Sequence, residues 1–133
     1  MSGAFEIRGG KRLSGEITPQ GAKNEALQIL CAVVLTEDEV RITNIPDIKD
    51  VNKLIDILQE FNVKVTKNGK GDYTFKSDEV NFDYIKSKEI KKDGAKLRGS
   101  VMILGPMLAR FGEAYLPTPG GDKIGRRRLD THF

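Results

Sequence analysis

The residues best suited to chemistry lie near the end of the chain, in the stretch 117–133, which reads PTPGGDKIGRRRLDTHF. Its prolines and adjacent glycines exclude a helix interior or a central strand and predict a surface loop that could act as an active-site lid. Asp122 lies in this loop as a candidate proton donor or ion-pair partner. The cations after it can bind phosphate or carboxylate oxygens. They are Lys123, Arg126, Arg127 and Arg128.

A second candidate anion site is the motif GAKN, in which Lys23 and Asn24 open a predicted helix. The first N–H groups of a helix and the positive end of its dipole attract anions, and a lysine there strengthens the effect. The motif by itself still favours a simpler interpretation, in which the lysine is solvated and the asparagine lies near a helix cap.

Composition limits the function classes. The chain has 133 residues, typical of one domain, and a formal net charge of +3. This modest charge, crowded near the end, favours a small anionic ligand over a polyanion. No apolar run is long enough for a membrane span, and the start of the chain lacks a signal-peptide core, so we expect a cytoplasmic protein. The single cysteine, Cys31, excludes an internal disulfide and, with one histidine, a zinc cluster.

Hydrophobic spacing predicts the elements that position these residues. Residues 4–18 alternate around glycines and indicate two short strands or one bent ribbon. The segment 20–36 predicts a mostly buried helix, within which Cys31 is expected to be a buried, inert thiol. Residues 38–45 predict a strand that Pro46 ends.

The second half of the pattern continues with a helix over 49–61, for which Asp47 or Asp50 is a plausible cap. A hairpin of 62–67 and 72–77 around a turn at 68–71 follows, which completes the order βαβαββ. Residues 78–95 indicate a charged linker. A third helix is expected from Ala95, bent at Gly105-Pro106, capped by Gly112 and followed by a strand over 113–116.

Three motifs together carry a family resemblance: QGAKNEALQIL, LRGSVMILGPMLARFG and TPGGDKIGRRRLDTH. In this order and spacing they resemble the N-terminal third of the UDP-N-acetylglucosamine enolpyruvyl transferases, from Phe5 to the last residue. The resemblance implies an α+β, inside-out α/β barrel-like fold whose two lobes are each built from βαβαββ units, incomplete here. Residues 1–18 would be a strand pair that packs with the missing second lobe. Residues 19–133 would be a partial first lobe, with one unit, the start of a second, and the lid at 117–128.

The resemblance also implies an activity. The family transfers the enolpyruvyl group of phosphoenolpyruvate to the 3-hydroxyl of UDP-N-acetylglucosamine and releases phosphate, the first committed step of peptidoglycan synthesis. It therefore serves cell-wall biogenesis, cell shape, the cell cycle and cell division. No cofactor, nucleic acid or membrane is implied. We expect the isolated chain to lack activity, because one wall of a cleft cannot assemble the site, and to self-associate through exposed apolar faces.

Family roles transfer to matching positions. Lys23 should contact the phosphate or carboxylate of phosphoenolpyruvate, and Asn24 should bind the nucleotide sugar. Arg98 matches a family arginine at the substrate site. Arg127 matches the lid arginine that meets phosphoenolpyruvate. The segment expected to grip the uridine end comprises Arg127, Arg128, Leu129, Asp130 and Thr131. Two positions depart from the family, since Arg128 stands where a proline is common and Arg126 replaces a small residue.

Asp122 occupies a lid position that is most often cysteine in the family. The reaction needs an acid that protonates the methylene carbon, which implies Asp122 as general acid. An ordinary aspartate titrates near ~3.9, so lid closure and desolvation must raise its pKa against the lowering effect of Lys123 and Arg127. Fosfomycin alkylates the family thiolate, and a carboxylate is a poorer nucleophile, so the resemblance implies fosfomycin resistance.

Three alternatives remain open from the sequence. The homologous 5-enolpyruvylshikimate-3-phosphate synthases share fold and cosubstrate, but the lid motif favours the nucleotide-sugar enzymes. A small basic α/β nucleic-acid-binding module would use the arginines of the lid, although its strands offer no clustered aromatic residues for base stacking. The third is a purely structural fragment.

Overall fold

In the computed structural model, residues 4–81 and 98–115 are described, with side chains in the second range from Val101 onward. The linker predicted at 78–95 lies mostly outside the described residues. The lid at 117–128 lies outside them entirely. Within the described ranges, no helix is both long and apolar enough to cross a membrane.

Helix α1 spans Lys23–Ala32 and continues as a 3-10 turn over Val33–Leu35, which confirms the first predicted helix. It is buried on one broad face through Ala26, Leu27, Leu30 and Cys31. Burial raises the pKa of the Cys31 thiol to about 12. The thiol therefore stays protonated at neutral pH and is inert, as predicted.

Helix α2 spans Lys49–Glu60. Apolar residues spaced three and four apart give it one core-facing stripe, Val51, Leu54, Ile55 and Leu58. The capping prediction was wrong: Ile48 is the residue before the helix, and no side chain caps it. Asp47 instead accepts a hydrogen bond from the Asn52 amide at 2.7 Å. Asp50 forms an ion pair with Lys23 of α1.

Three antiparallel strands form the sheet: β1 (Val40–Ile42), β2 (Lys64–Gly69) and β3 (Asp72–Lys76), in the order β1-β3-β2. Val40 and Val65 both lie opposite Phe75, so these apolar residues share one face. That face contributes to a core with α1 and α2 in which Phe61 and Phe75 are fully buried. The hairpin turn is shorter than predicted, because Asn68 and Gly69 belong to β2.

The strands predicted over residues 4–18 are absent. Residues 4–20 contain no helix or strand, and the apolar side chains of the segment are almost fully exposed. These are Phe5 (98%), Ile7 (90%), Leu13 (91%) and Ile17 (93%). A strand is stable only with hydrogen-bonded neighbours, and none of the described residues supplies one here. The expected packing of 1–18 on a second lobe stays a prediction.

The third predicted helix is two elements. A 3-10 helix covers Arg98–Ile103, and α3 spans Leu104–Phe111. Pro106 therefore lies in the first turn of α3, where no intrahelical N–H donor is required. Gly112 ends α3 in the left-handed conformation with φ 73°, and its N–H donates to Leu108, which confirms the predicted cap. Residues 113–115 form no strand, so that prediction was wrong for the described part of 113–116.

Arg110 of α3 joins three parts of the fold. Its guanidinium lies within hydrogen-bonding distance of the carbonyl oxygens of Val34 (2.9 Å) and Ser77 (2.8 Å), and its side chain is only 13% exposed. It also pairs with Glu37 at 3.1 Å. The buried Ser77 hydroxyl lies 2.8 Å from the Val33 oxygen and 2.7 Å from the Thr36 oxygen, and it can donate to one of them at a time. This Arg110 node fixes α3 and the end of β3 on the end of α1.

We expect Arg110→Met to lower the free energy of unfolding by about 2–4 kcal/mol, because it leaves buried carbonyl oxygens without their charged donor. The matched control is Arg41→Met, which removes an arginine that is 64% exposed and paired with Asp72 at 2.6 Å. Its effect should be much smaller, since exposed ion pairs contribute little. Urea denaturation measures both. Equal midpoints for the two variants would contradict the role given to Arg110.

Candidate functional site

The start of α1 has the properties of an anion site. Ala22 precedes the helix in an extended conformation, with ψ 134°, and no side chain caps the first turn. Lys23 is the first helical residue and Asn24, which is exposed, is the second. The helix dipole and the lysine ammonium therefore place positive potential at the same surface point. This is the placement that the GAKN motif predicted.

Lys23 forms an ion pair with Asp50, in the first turn of α2. The N-terminal ends of two helices therefore lie side by side, with Asp50 as the internal counter-ion between them. Both side chains are 41% exposed, so the pair is accessible from solvent. The local sequence pattern indicated Asp50 only as a helix cap, because a contact between residues so far apart in the chain leaves no local pattern.

The Lys23–Asp50 pair holds an ammonium group in one place without burying it. A pair this exposed contributes about 0–1 kcal/mol to folding, so its geometric effect matters more than its energy. An ammonium fixed at the surface can donate hydrogen bonds to phosphate or carboxylate oxygens. A small anion could therefore reach this ammonium, in competition with the Asp50 carboxylate that pairs with it.

The chain segment that leads into α2 is fixed by main-chain hydrogen bonds. The Ile45 N–H donates to the Gly71 oxygen at 2.9 Å, and the Ile48 N–H donates to the Pro46 oxygen at 3.0 Å. The buried Ile45 side chain anchors this segment in the core. Between it and α1 lies a mainly apolar cavity of about 100 Å³, which Ile29 and Thr43 help to line.

The other predicted site residues are placed only in part. Arg98 begins the 3-10 helix Arg98–Ile103, which packs against α1, so the chain brings Arg98 to the element that carries Lys23 and Asn24. Its side chain is outside the described part of the structure. Asp122 and the segment 127–131, with Arg127, Arg128, Leu129, Asp130 and Thr131, also lie outside the described residues. Their convergence on Lys23 stays a prediction.

Comparison with known sequences identifies the family. The family model described as EPSP synthase (3-phosphoshikimate 1-carboxyvinyltransferase) matches residues 7–133. The chain is 59% identical over 130 residues to the UDP-N-acetylglucosamine 1-carboxyvinyltransferase of Bacteroides thetaiotaomicron. It is 56% identical over 130 residues to the protein of that name from Porphyromonas gingivalis. Each match covers 98% of this chain and 30% of the relative, so the chain spans about a third of their length.

Comparison with solved structures supports the fold. The enolpyruvyl transferase NikO from Streptomyces tendae matches 78% of this chain and 23% of its own, with a TM-score of 0.60 and 24% identity. At that identity the likeness concerns the fold alone, and it agrees with an incomplete α+β architecture. From the family match, which covers nearly the whole chain, this protein belongs to the EPSP synthase family of enolpyruvyl (carboxyvinyl) transferases.

Proposed function

We propose that this chain is the N-terminal part of an enzyme that transfers the enolpyruvyl group of phosphoenolpyruvate to the 3-hydroxyl of UDP-N-acetylglucosamine and releases phosphate. The observation that carries the proposal is the 59% identity over 130 residues to a relative named for that activity. The geometry at the start of α1 supports it. Lys23 there offers a fixed, solvent-accessible cation to an anionic substrate.

Binding of phosphoenolpyruvate is assigned to cations. Lys23 would hold its phosphate or carboxylate group at the start of α1, where the helix dipole adds to the attraction. Arg98 and Arg127 would add guanidinium donors, whose planar geometry matches such oxygens. Asn24, exposed beside Lys23, would contact the nucleotide sugar, and residues 127–131 would hold its uridine end. Orientation of two substrates against fixed cations supplies most of the catalysis in this scheme.

The chemistry proceeds by addition and elimination. The sugar 3-hydroxyl oxygen forms a bond to C2 of phosphoenolpyruvate while Asp122, as general acid, gives a proton to the methylene carbon. The hydroxyl proton passes to a base supplied by another part of the enzyme. Loss of a proton from the new methyl group then restores the double bond and expels inorganic phosphate from C2. Asp122 must be protonated to begin, so its pKa in the closed site has to lie above the usual aspartate range.

The biological setting follows from the substrates. Phosphoenolpyruvate and nucleotide sugars are metabolites of the cytoplasm, so we place the reaction there. Its product is a precursor of peptidoglycan, which links the enzyme to cell-wall biogenesis, cell shape, the cell cycle and cell division. No cofactor enters the scheme. Nucleic acid is not needed as a partner either.

The isolated chain is proposed to be inactive, because one wall of the cleft cannot surround both substrates. We also infer that it self-associates. The four exposed apolar side chains of residues 4–18 favour this, since exposed apolar surface in water tends to be covered by a partner.

The function is tested in a chimera that carries residues 4–133 of this chain in place of the matching segment of the Bacteroides thetaiotaomicron relative. We expect phosphate release from phosphoenolpyruvate that depends on UDP-N-acetylglucosamine. Lys23→Met should lower kcat/KM for phosphoenolpyruvate by at least about 100-fold, because it removes a cation that the substrate meets. Lys49→Met is the matched control: it removes an exposed lysine directly before Asp50 in the chain, and kcat/KM should remain near the parent value. A folded chimera without phosphate release would contradict the function.

Asp122→Asn in the same chimera tests the general acid. Turnover should fall by about 100-fold or more, because the amide cannot deliver a proton. Asp56→Asn, on the exposed surface of α2, makes the same chemical change away from the site and should leave turnover unchanged. Full turnover of the Asp122→Asn chimera would remove Asp122 from the mechanism.

Sensitivity to fosfomycin distinguishes a lid that carries a carboxylate from one that carries a thiol. We expect the chimera with Asp122 to keep its activity after incubation with fosfomycin, because a carboxylate attacks an epoxide slowly at neutral pH. Asp122→Cys should become sensitive and gain one covalent adduct on the lid peptide, measured by mass spectrometry. An adduct on the lid of the unsubstituted chimera would show the expectation to be wrong.

A further inference from the structure

The loop before α1 and the segment before α2 touch at a point that has no room for a side chain. A Cβ atom built on Gly21 would overlap the main-chain oxygen of Asn44 and lie 3.2 Å from Cδ of Pro46. The overlapping atom belongs to the backbone, so no side-chain rotation can relieve the clash. Only glycine permits this approach.

The Asn44 side of the contact cannot easily withdraw. Asn44 itself has φ 59°, a left-handed conformation that asparagine tolerates better than most residues. Its neighbour Ile45 is 6% exposed, and the Ile45 N–H donates a hydrogen bond to the Gly71 oxygen. A Cβ on Gly71, which has φ 67°, would lie 2.8 Å from the Ile45 oxygen. The segment Asn44–Ile45 is therefore clamped between two glycines.

The clamp is close in sequence to both residues of the ion pair. Lys23 lies two residues after Gly21. Asp50 lies in the first turn of α2, the helix that follows the Asn44 segment. The separation of the two helix starts is set where these two segments touch. Any side chain at Gly21 would push the starts of α1 and α2 apart and would separate the Lys23 ammonium from the Asp50 carboxylate.

We propose that Gly21 is a positioning residue for the anion site: its lack of a side chain lets the loop before α1 rest on the Asn44 carbonyl and so places Lys23 beside Asp50. The inference deepens the proposed function in stating what aligns the cation that meets the substrate. It rests on the proposed function only for the identity of the anion. The alignment itself is a property of this chain.

A water-soluble carbodiimide tests the alignment directly in the 133-residue chain. It activates a carboxylate so that a contacting lysine forms an amide with loss of one water, and the crosslinked peptides are quantified by mass spectrometry. The unsubstituted chain should give a Lys23–Asp50 crosslink. It should also give a reference crosslink between Lys64 and Asp78, whose charged atoms lie 3.2 Å apart at a distant point of the sheet.

Gly21→Ala should lower the Lys23–Asp50 crosslink by at least about tenfold, because amide formation depends steeply on the approach of the two groups. The Lys64–Asp78 crosslink should be unchanged. Gly105→Ala is the matched control, since a Cβ at Gly105 meets nothing within 4 Å, and it should leave both crosslinks at parent levels. Retention of the Lys23–Asp50 crosslink in Gly21→Ala would overturn the proposal.

A second variant covers the case in which Gly21→Ala loses both crosslinks through unfolding. Asn44→Ala keeps Gly21 and removes the residue type suited to φ 59°, so it disturbs the other side of the contact more gently. We expect a reduced Lys23–Asp50 crosslink beside an unchanged Lys64–Asp78 crosslink. An undiminished Lys23–Asp50 crosslink in this folded variant would equally overturn the proposal.

Kinetics in the chimera separate this inference from the proposed function. Gly21→Ala should lower kcat/KM for phosphoenolpyruvate by about tenfold or more, and Gly105→Ala should leave it unchanged. An inactive unsubstituted chimera would refute the proposed function, while the crosslinks would still decide the alignment. An active chimera whose kcat/KM is unaffected by Gly21→Ala would refute the role of Gly21.

Discussion

The close approach of the Gly21 loop to the Asn44 carbonyl is the contact on which the candidate site depends. It brings the positive ends of two helices together, an arrangement that is unfavourable unless negative charge lies between them. Asp50 supplies that charge from within the chain, and Lys23 pairs with it at the surface. In the proposed function, a substrate anion would meet an ammonium that is already oriented, so less binding free energy would be lost in ordering the side chain.

Stability and site geometry come from different parts of this structure. The ion pair is half-exposed and contributes little to folding. The folded state depends on the core between α1, α2 and the sheet, in which Leu30, Leu54 and Phe75 are fully buried, and on the Arg110 node. Helix α1 takes part in both, because its apolar face lies in the core while its first turn carries Lys23. The core therefore anchors the helix that carries the site, although the site itself is accessible to solvent.

Local patterns in the sequence were sufficient to predict elements that are stabilised by local hydrogen bonds and by one apolar face. Helix α2 was predicted to within one residue of its end, because Val51, Leu54, Ile55 and Leu58 repeat with the helical period. The hairpin followed from alternation around a glycine turn, and the end of α3 from Gly112. The motif around Lys23 also predicted a helix start with a lysine, and the order of three motifs predicted the family.

The sequence alone thus determined α1 and α2, the hairpin, the family and the placement of Lys23 at a helix start, because these depend on residues that are neighbours in the chain. Tertiary structure decided the rest. Residues 4–18 have the alternation of strands but form none, since a strand needs hydrogen-bonding partners that no local pattern can supply. Asp50 forms an ion pair with Lys23 and does not cap a helix, and Gly21 lies against the main-chain oxygen of Asn44. Both outcomes depend on how two segments distant in the sequence pack against each other, and the burial of apolar surface across the whole core fixes that packing.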